Sequence, residues 1–193
     1  MKNICIASNN KHKKEEIKLL LLNANFIVDE KYIFPEVIED GKTLNENAIK
    51  KAEAMFKISN TLSIADDTGL EVYYLNMRPG VYSARYAGEN VSYDDNNKKL
   101  LEELKGVPIR RRNARFRSVI AIVDNNFKKI VEGVTEGIIL ESPCGDLGFG
   151  YDPLFLPNGF NQTYAEMNLE LKNKISHRGK AFLKLLDELN ILG

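Results

Sequence analysis

The chain opens with blocks of apolar and polar residues that predict a strand followed by two helices. Asn3 to Ala7 contain a short apolar run, and from Lys11 to Leu22 the apolar positions fall at helical spacing. Thr43, with Glu46 three residues later, has the arrangement of a capping box ahead of further apolar residues at helical spacing. The pattern therefore predicts that a second helix begins at Thr43.

The middle of the chain predicts a strand that stops at two adjacent carboxylates. Thr61 to Ala65 has strand character and runs directly into Asp66 and Asp67, and extended character resumes from Leu70 to Leu75. We therefore expect the two aspartates at a strand end. A helix is predicted from Asp94 to Leu104, where a nearby glycine and proline close it.

The last third predicts a hairpin, a loop and a final helix. Val119 to Val123 and Ile130 to Ile139 flank an Asn-Asn turn. Ser142 to Pro153 is rich in glycine and has no periodicity, and an amphipathic helix starts near Ser176. Strands that alternate with helices indicate an α/β protein with a mixed sheet, in which ligands collect at loops that leave strand ends.

Composition favours one ordinary globular domain over residues 1–193. Of the 193 residues 44% are hydrophobic, and 27 basic residues balance 27 acidic ones. This balance argues against a nucleic acid or a membrane held by net charge, so any anion site must be local. Two cysteines are too few for a disulfide framework, and no apolar run is long enough for a signal peptide or a membrane span. We therefore expect a cytoplasmic protein.

The turn from Ser8 to Lys13 has the chemistry of a phosphate site. It leads into the first helix, so backbone N–H groups and the positive end of the helix dipole lie there. Ser8 and Asn10 add neutral donors and Lys13 adds a charge, although lysine at a helix start opposes the dipole. An exposed turn with solvated lysines explains the same residues equally well.

Asp66 and Asp67 are candidates for a magnesium site. Two adjacent carboxylates resist joint ionisation unless a cation or buried donors compensate them. Magnesium takes one or two protein carboxylates and completes its shell with water and phosphate oxygens. A third acid is available from Glu36, Glu39 or Asp40, just ahead of the second helix. The alternative is an aspartate-rich turn without a metal.

Two segments near the C-terminus combine groups that suit a purine. In Gly148 to Pro153 the glycines permit close approach, the phenylalanine offers a face for stacking, and the aspartate can accept a hydrogen bond from a ring N–H. His177 and Arg178, with Lys172 before them, offer donors that suit a 6-keto oxygen rather than the 6-amino group of adenine. The alternatives are a tight turn whose rings fill the core, and a surface helix cap.

Arg110 to Arg117 is the strongest basic run of the chain and resembles an RNA-contact strip. However, the chain has no net positive charge, and from Ala114 the residues alternate as in a strand. We therefore expect a solvated strand edge or part of a subunit contact, and we keep an RNA-binding module as an alternative function.

Six segments together point to a known family. They are Ser8, Asn10, Lys13 and Glu16; Thr43 with Glu46, Asn47 and Ala48; Ala65 to Leu70; Gly80 with Tyr82 to Tyr86; Gly148 to Pro153; and Ile175 to Arg178. In their order and spacing they resemble the inosine triphosphate pyrophosphatase family, also called non-canonical purine nucleoside triphosphate pyrophosphatases. The resemblance runs nearly end to end, and it is specific because the short segments occur together.

The resemblance implies a bilobed single α/β domain around a long mixed β-sheet flanked by helices, with the active cleft between the lobes, and a homodimer. It implies Asp67 as the residue that activates water and Glu39 as a Mg2+ ligand, with Asp66 as a further candidate ligand. The substrate-binding residues that it implies are Ser8, Asn9, Asn10, Lys13 and Lys172 for the triphosphate, Thr68 for a further contact, and Phe149, Gly150, Tyr151, Asp152, His177 and Arg178 for the base.

The activity that follows from the resemblance is hydrolysis of ITP, dITP and XTP to the nucleoside monophosphate and pyrophosphate. Magnesium and lysines would neutralise the charge that develops on the leaving oxygens. Two alternatives stay open: a pyrophosphatase for other modified nucleotides, such as the septum-formation-inhibitor-like enzymes, and the RNA-binding module of the arginine run.

Overall fold

The structure of the protein is a computed structural model that describes residues 2–22, 24 and 26–191. Within these residues the strands and helices, named in chain order, are β1 (Lys2–Ile6), α1 (Lys11–Leu21), β2 (Phe26–Val28), α2 (Leu44–Ser59), β3 (Ser63–Val72), β4 (Arg78–Pro79), α3 (Tyr93–Glu103), β5 (Asn113–Val123), β6 (Lys128–Ile139), β7 (Phe155–Pro157), α4 (Leu169–Ile175) and α5 (His177–Ile191). This order confirms the predicted α/β class.

The strands form a mixed sheet. Its order is β2-β1-β3-β5-β6-β7, and β4 pairs with β3 outside this path. β1 runs parallel to both β2 and β3, whereas β4 is antiparallel to β3 and β7 is antiparallel to β6. β5 and β6 are neighbours joined by a turn in which the N–H of Asp124 donates to the carbonyl of Phe127 at 3.0 Å. The predicted hairpin and mixed sheet are therefore confirmed.

The chain divides into two compact units. The first unit comprises Met1–Asp67, Ser118–Gly133 and Arg178–Gly193, and the second comprises Thr68–Arg117 and Val134–His177. β3, β5 and β6 contribute residues to both units, because each of their ranges includes a boundary. That residues 1–193 act as one domain with a cleft between lobes stays a prediction. None of the helices in the described residues combines the length and the apolar character needed to cross a membrane.

The first unit has a core of strand residues packed against α1 and α5. Its buried side chains include Ile4, Ile6, Ile64, Ile120, Ile122, Val131, Ile17, Leu21, Phe182, Leu185 and Leu189. The members from α5 recur three or four residues apart, as the sequence pattern predicted for the final helix. Helical periodicity therefore determines which face of α5 is buried.

The second unit has a core in which aromatic rings pack together. Its buried side chains include Leu70, Val72, Leu100, Leu104, Phe116, Ile139, Phe155 and Tyr164. Phe116 contacts Phe155 edge to face, with ring centroids 4.8 Å apart, and stacks on Tyr164 at 5.9 Å. Such ring pairs contribute stability beyond that gained by burying their apolar area. They therefore hold β5 against β7 and against the segment that contains Tyr164.

Local sequence accounts for two helix starts. Thr43 caps α2, where its hydroxyl accepts a hydrogen bond from the N–H of Glu46 at 3.2 Å. The Glu46 carboxylate accepts from the N–H of Lys42 at 2.6 Å, so the predicted box closes one residue earlier than expected. A complete capping box is found at the start of α3, between Ser92 and Asp95.

Asp66 and Asp67 do not lie at a strand end, and this prediction is wrong. β3 continues without a break from Ser63 to Val72, and both aspartates are buried in its middle. The sequence indicated a stop because charged side chains are rarely buried in a strand. The strand continues because cations from other elements compensate both carboxylates, so the backbone need not turn out to solvent.

The expectation that Arg110 to Arg117 lies on a sheet edge is also wrong. The second half of this run is the start of β5, which lies between β3 and β6. Arg112 is buried, and its guanidinium donates to three backbone carbonyls. Arg115 and Arg117 form ion pairs with Glu71, at 2.6 and 3.8 Å. Because these arginines are engaged inside the second unit, the run is not a continuous cationic strip.

Candidate active site

Three charged side chains of the first unit meet in one cluster, called here the carboxylate–lysine cluster: Glu39, Lys51 and Asp67. Lys51 extends from the buried face of α2 and places its Nζ atom 2.7 Å from Asp67 Oδ1 and 3.0 Å from Glu39 Oε2. The same ammonium donates to the backbone carbonyl of Asp66 at 3.0 Å. An ammonium has three N–H donors, so Lys51 uses two of them to hold Glu39 beside Asp67 and the third on the backbone carbonyl of Asp66.

Burial and charge move the pKa values in this cluster in different directions. Burial raises the pKa of Asp67, and the attraction of Lys51 only partly offsets it. Burial also acts to raise the pKa of Glu39, but the charge of Lys51 outweighs it and the pKa is lowered overall. For Lys51 burial acts to lower the pKa, and the two carboxylates reverse this, so the pKa is raised. A charged lysine thus lies between a more basic and a less basic carboxylate.

Asp66 points into a separate set of donors inside the first unit. Its Oδ1 accepts from the hydroxyl of Ser118, and its Oδ2 lies 3.0 Å from Lys13 Nζ and 3.1 Å from Arg178 Nη2. Complete burial disfavours the carboxylate, but the charges of Arg178 and Lys13 and the hydrogen bond from Ser118 hold its pKa well below the usual value. Asp66 is therefore a buried, charged acceptor that orders three side chains.

Arg178 links two acids that are far apart in the sequence. Its Nη1 donates to the carboxylate of Glu16 and its Nη2 to that of Asp66, and only 1% of the residue is exposed. Glu16 is itself buried on α1. The resemblance implies that Arg178 belongs to the base pocket. In the structure both terminal nitrogens of its guanidinium bind acids of the first unit.

The turn before α1 has the features of an anion site. Asn10 caps the helix by accepting from the N–H of Lys13 at 3.2 Å, and Ser8 Oγ accepts from the N–H of Asn10 at 3.2 Å. The first turn of α1 holds no acidic residue, so the helix itself does not neutralise the positive end of its dipole. Asn9 is exposed and lines a cavity of about 140 Å³ together with Lys14, residues 28–30 and residues 32–34.

In the second unit, residues 148–152 form a segment called here the aromatic loop. Asp152 Oδ2 accepts from the N–H of Phe149 at 2.8 Å and from Lys172 Nζ at 2.5 Å. The Lys172 ammonium also lies over the rings of Phe149 and Tyr164, 4.9 and 5.7 Å from their centroids. Asp152 and Lys172 are both buried, so this ion pair shapes the loop from inside. The resemblance assigns Lys172 to the triphosphate, whereas its contacts here are with the aromatic loop.

His177 and Tyr151 are also packed inside the second unit. The imidazole of His177 stacks on Phe116, with centroids 4.6 Å apart and an interplanar angle of 12°. The hydroxyl of Tyr151 donates to the carbonyl of Ser83 at 2.9 Å, so it ties the aromatic loop to the segment after β4. Thr68, the residue after the cluster on β3, is half-buried. The ring of His177 is thus held in a fixed orientation among aromatic neighbours.

The predicted site residues fall into two groups, one in each unit. The group in the first unit consists of Ser8, Asn9, Asn10, Lys13, Glu39, Asp66, Asp67 and Arg178. The group in the second unit consists of Thr68, Phe149, Gly150, Tyr151, Asp152, Lys172 and His177. Charged groups dominate the first set and suit phosphate and a metal ion, whereas the second set has the flat rings and buried donors that suit a base.

The sequence analysis missed Lys51 and named Glu16 only as a residue of the family motif, although the pattern held a signal that both are buried. Lys51 falls on the apolar face of α2, beside Ala48 and Ala52. Glu16 is buried on α1 next to Ile17. A charged side chain on the apolar face of a helix requires a buried counter-ion, and that requirement is the signal.

Comparison with known proteins agrees with the resemblance found in the sequence. The model of the Ham1 family matches residues 4–188. The dITP/XTP pyrophosphatase of Clostridium perfringens is 49% identical over 199 residues, covering 98% of each chain. The protein of the same name from Thermoanaerobacter pseudethanolicus is 47% identical over 185 residues, covering 94% of this chain and 93% of its own.

A solved structure is similar over its whole length. The Ham1 protein of Staphylococcus aureus has a TM-score of 0.87 and 41% identity, with all of both chains covered. The Ham1 protein of Coxiella burnetii has the same TM-score at 39% identity, covering 98% of this chain and 99% of its own. Sequence and fold therefore agree, and the chain belongs to the Ham1 family.

Proposed function

We propose that this protein hydrolyses the non-canonical purine nucleoside triphosphates ITP, dITP and XTP to the nucleoside monophosphate and pyrophosphate. The observation that carries the proposal is the carboxylate–lysine cluster, which holds two acids and a lysine together in the first unit. The relatives at 47% and 49% identity are named dITP/XTP pyrophosphatases. The chain is accordingly a hydrolase that acts on phosphoric anhydrides.

The cluster has ligands suited to a magnesium ion, which we propose as the cofactor. Among the described residues no group of three or more His, Cys, Asp and Glu side chains is placed to hold a metal by itself. Magnesium needs no such cage, because it commonly takes one or two carboxylates and fills its shell with water and phosphate oxygens. Glu39 and Asp67 supply these carboxylates, and the ion, when bound, neutralises phosphate charge. Asp66 is left out of the ligand set, because both of its oxygens already accept from buried donors.

Asp67 takes the proton of the attacking water in this proposal. Burial raises its pKa, so its carboxylate is a stronger base than an exposed aspartate. The water oxygen forms a bond to the α-phosphorus while the bond from that phosphorus to the bridging oxygen breaks. Pyrophosphate leaves with the bonding electron pair, and Lys51, 2.7 Å from Asp67 Oδ1, keeps the carboxylate in place.

Positive groups of the first unit stabilise the leaving pyrophosphate. Lys13 and the N-terminus of α1 lie at the Ser8 to Asn10 turn, and the first turn of α1 holds no acid to neutralise the helix dipole. Lys13 is held 3.0 Å from Asp66 Oδ2, with 16% of its side chain exposed. In the transition state negative charge grows on the leaving oxygens, and fixed cations in a partly dry site stabilise it more strongly than water does.

The aromatic loop recognises the base. Phe149 is half-buried, and in this proposal the purine stacks on its ring. Lys172 can only donate hydrogen bonds, so it suits a keto oxygen, which accepts, and opposes an amino group, which donates. An adenine amino group would set donor against donor and leave buried groups unpaired, which supports discrimination against ATP.

The variant Asp67→Asn tests the proposal, because it keeps the size of the side chain and removes the base. We expect wild-type protein to release pyrophosphate from dITP and XTP, and Asp67→Asn to lose turnover by about 100-fold or more. Asp187→Asn, at an exposed position of α5, is the matched control and should retain wild-type turnover. Wild-type turnover by Asp67→Asn would refute the role assigned to this residue.

The same assay separates the proposal from the two alternatives. Turnover of ITP, dITP and XTP should exceed that of GTP and ATP, whereas equal rates on all five would refute the selectivity. A pyrophosphatase for other modified nucleotides would instead prefer pyrimidine or otherwise modified nucleotides. An RNA-binding module would bind RNA in a salt-dependent way and release no pyrophosphate.

A homodimer and a cytoplasmic location complete the proposal. The second unit exposes the large aromatic side chains of Tyr73, Tyr74 and Tyr82, residues of the kind that protein interfaces use. Cys5 and Cys144 are free thiols, as expected in a reducing compartment. Light scattering after size-exclusion chromatography should give twice the mass of one chain, and a monomer mass would refute the dimer.

A further inference from the structure

Two residues of α3, one helical turn apart, contact consecutive residues of the aromatic loop. The ring centroid of Tyr93 lies 6.0 Å from that of Phe149. Asn97 Nδ2 donates to the backbone carbonyl of Gly150 at 3.0 Å. Residues four positions apart lie on the same face of a helix, so one face of α3 supports the loop.

We propose that Asn97 and Tyr93 are positioning residues for base recognition. They fix the positions of the Phe149 ring and of the Gly150 carbonyl. These positions in turn determine how strongly the protein prefers keto purines over other purines. This inference rests on the proposed function, because it assumes that the aromatic loop receives the base. Neither residue needs to touch the substrate for this role.

Packing alone does not explain an asparagine at position 97. The residue is 8% exposed, and in the described part of the chain its Oδ1 atom has no hydrogen-bond partner. A buried amide oxygen without a partner destabilises a fold, so an apolar side chain would pack there at lower cost. Turning the amide over would set Oδ1 against the carbonyl oxygen of Gly150. The observed orientation is therefore the one that gives the loop its donor.

The aromatic loop contains two glycines, and their wide conformational freedom gives outside contacts a role in fixing its backbone. Gly148 and Gly150 have positive φ angles of 73° and 64°, and glycine restrains the chain least. The carboxylate of Asp152 holds the N–H of Phe149, and Asn97 holds the carbonyl of Gly150. The two bonds bracket the Phe149–Gly150 pair, so the stacking ring keeps one position. Small errors in such a position strongly reduce rates or affinity.

Two substitutions test the inference: Asn97→Leu and Tyr93→Leu. Asn47→Leu is the matched control, because Asn47 is also buried on a helix. Its side chain accepts a hydrogen bond from the N–H of Gly41 at 2.8 Å. This bond lies in the first unit, whereas the aromatic loop belongs to the second unit. Steady-state kinetics and equilibrium binding with ITP, GTP and ATP measure the effect, together with a magnesium titration.

In Asn97→Leu and Tyr93→Leu we expect KM for ITP to rise about fivefold, the effect of one lost interaction of about 1 kcal/mol, with kcat nearly unchanged. The preference for ITP over GTP and ATP should fall by a similar factor, and the half-saturating magnesium concentration should stay the same. Asn47→Leu should leave the preference among the three nucleotides at its wild-type value, because its bond lies outside the loop.

The inference is overturned if both α3 variants fold, as judged by circular dichroism, and keep the wild-type KM and preference. It is also overturned if they lower turnover on all nucleotides equally, since that pattern indicates a merely structural role. If Asn97→Leu does not fold, Tyr93→Leu decides, because Tyr93 is 43% exposed. Wild-type protein that binds ITP without hydrolysing it would refute the proposed function, and the binding preferences would still test the inference.

Discussion

The substitution Arg178→Met removes the cation that pairs with Glu16 and Asp66 inside the first unit. Each of the three residues is at most 2% exposed, so solvent cannot replace the guanidinium. Removing one partner of a buried ion pair costs about 3–5 kcal/mol, because it leaves an uncompensated buried charge. Lys13 and Ser118 still contact Asp66, so its carboxylate stays partly compensated after the substitution. Methionine keeps much of the apolar stem and limits the loss of packing.

Thermal unfolding followed by circular dichroism measures this loss. In a chain of 193 residues, about 3–5 kcal/mol corresponds to a fall in Tm of about 6–20 °C. Arg110→Met is the matched control, because Arg110 is exposed and its replacement should change stability by no more than about 0.5 kcal/mol. The comparison separates the loss of a buried charge from the general effect of replacing arginine by methionine.

A second substitution sharpens the test. Adding Glu16→Gln to Arg178→Met should recover part of the lost stability, because a neutral amide no longer needs a cation. Strictly additive losses in the two single variants and the double variant would refute the reasoning. An unchanged Tm for Arg178→Met, combined with a lost preference for keto purines, would place Arg178 in the base pocket that the resemblance implies.

Two further predictions concern the second unit. Gly148→Ala should lower Tm more than Gly150→Ala. Both glycines have a positive φ, but only at Gly148 would the new Cβ clash with Asp152 Oδ2. Equal falls in Tm for the two variants would contradict this prediction. Burial raises the pKa of Tyr86 and of Tyr151, so the contribution of these two hydroxyls to stability should be constant below the pKa of an unfolded tyrosine, about 10, and fall as pH rises above it. Urea unfolding between pH 8 and pH 11 checks this, and a flat profile would contradict it.

Elements that depend on neighbouring residues could be predicted from the sequence. The start of α2 needs only the hydroxyl of Thr43 and an N–H three residues later, and the predicted start is confirmed. The buried face of α5 follows from helical spacing, and the hairpin of β5 and β6 follows from two apolar runs around a polar turn. The family could also be identified, because its short motifs keep their order along the chain.

The role of each site residue depended on partners that local patterns do not contain. The sequence singled out Asp66, Asp67 and Glu39, but it predicted a strand end where β3 in fact continues. It also missed Lys51, whose ammonium joins Glu39 to Asp67. The assignment of Lys172 to the triphosphate came from the resemblance, whereas the structure pairs this residue with Asp152.

The sequence by itself determined where α1, α2, α3 and α5 begin, the apolar faces, the mixed α/β class and the types of chemistry that the chain carries. Tertiary structure alone decided which charges meet, as for Arg178 and Glu16, which lie 162 positions apart. The physical reason is the distance along the chain between the residues that interact. Capping and periodicity depend on contacts within a turn or two of the chain, whereas a buried charge is stable only if another element brings its counter-charge.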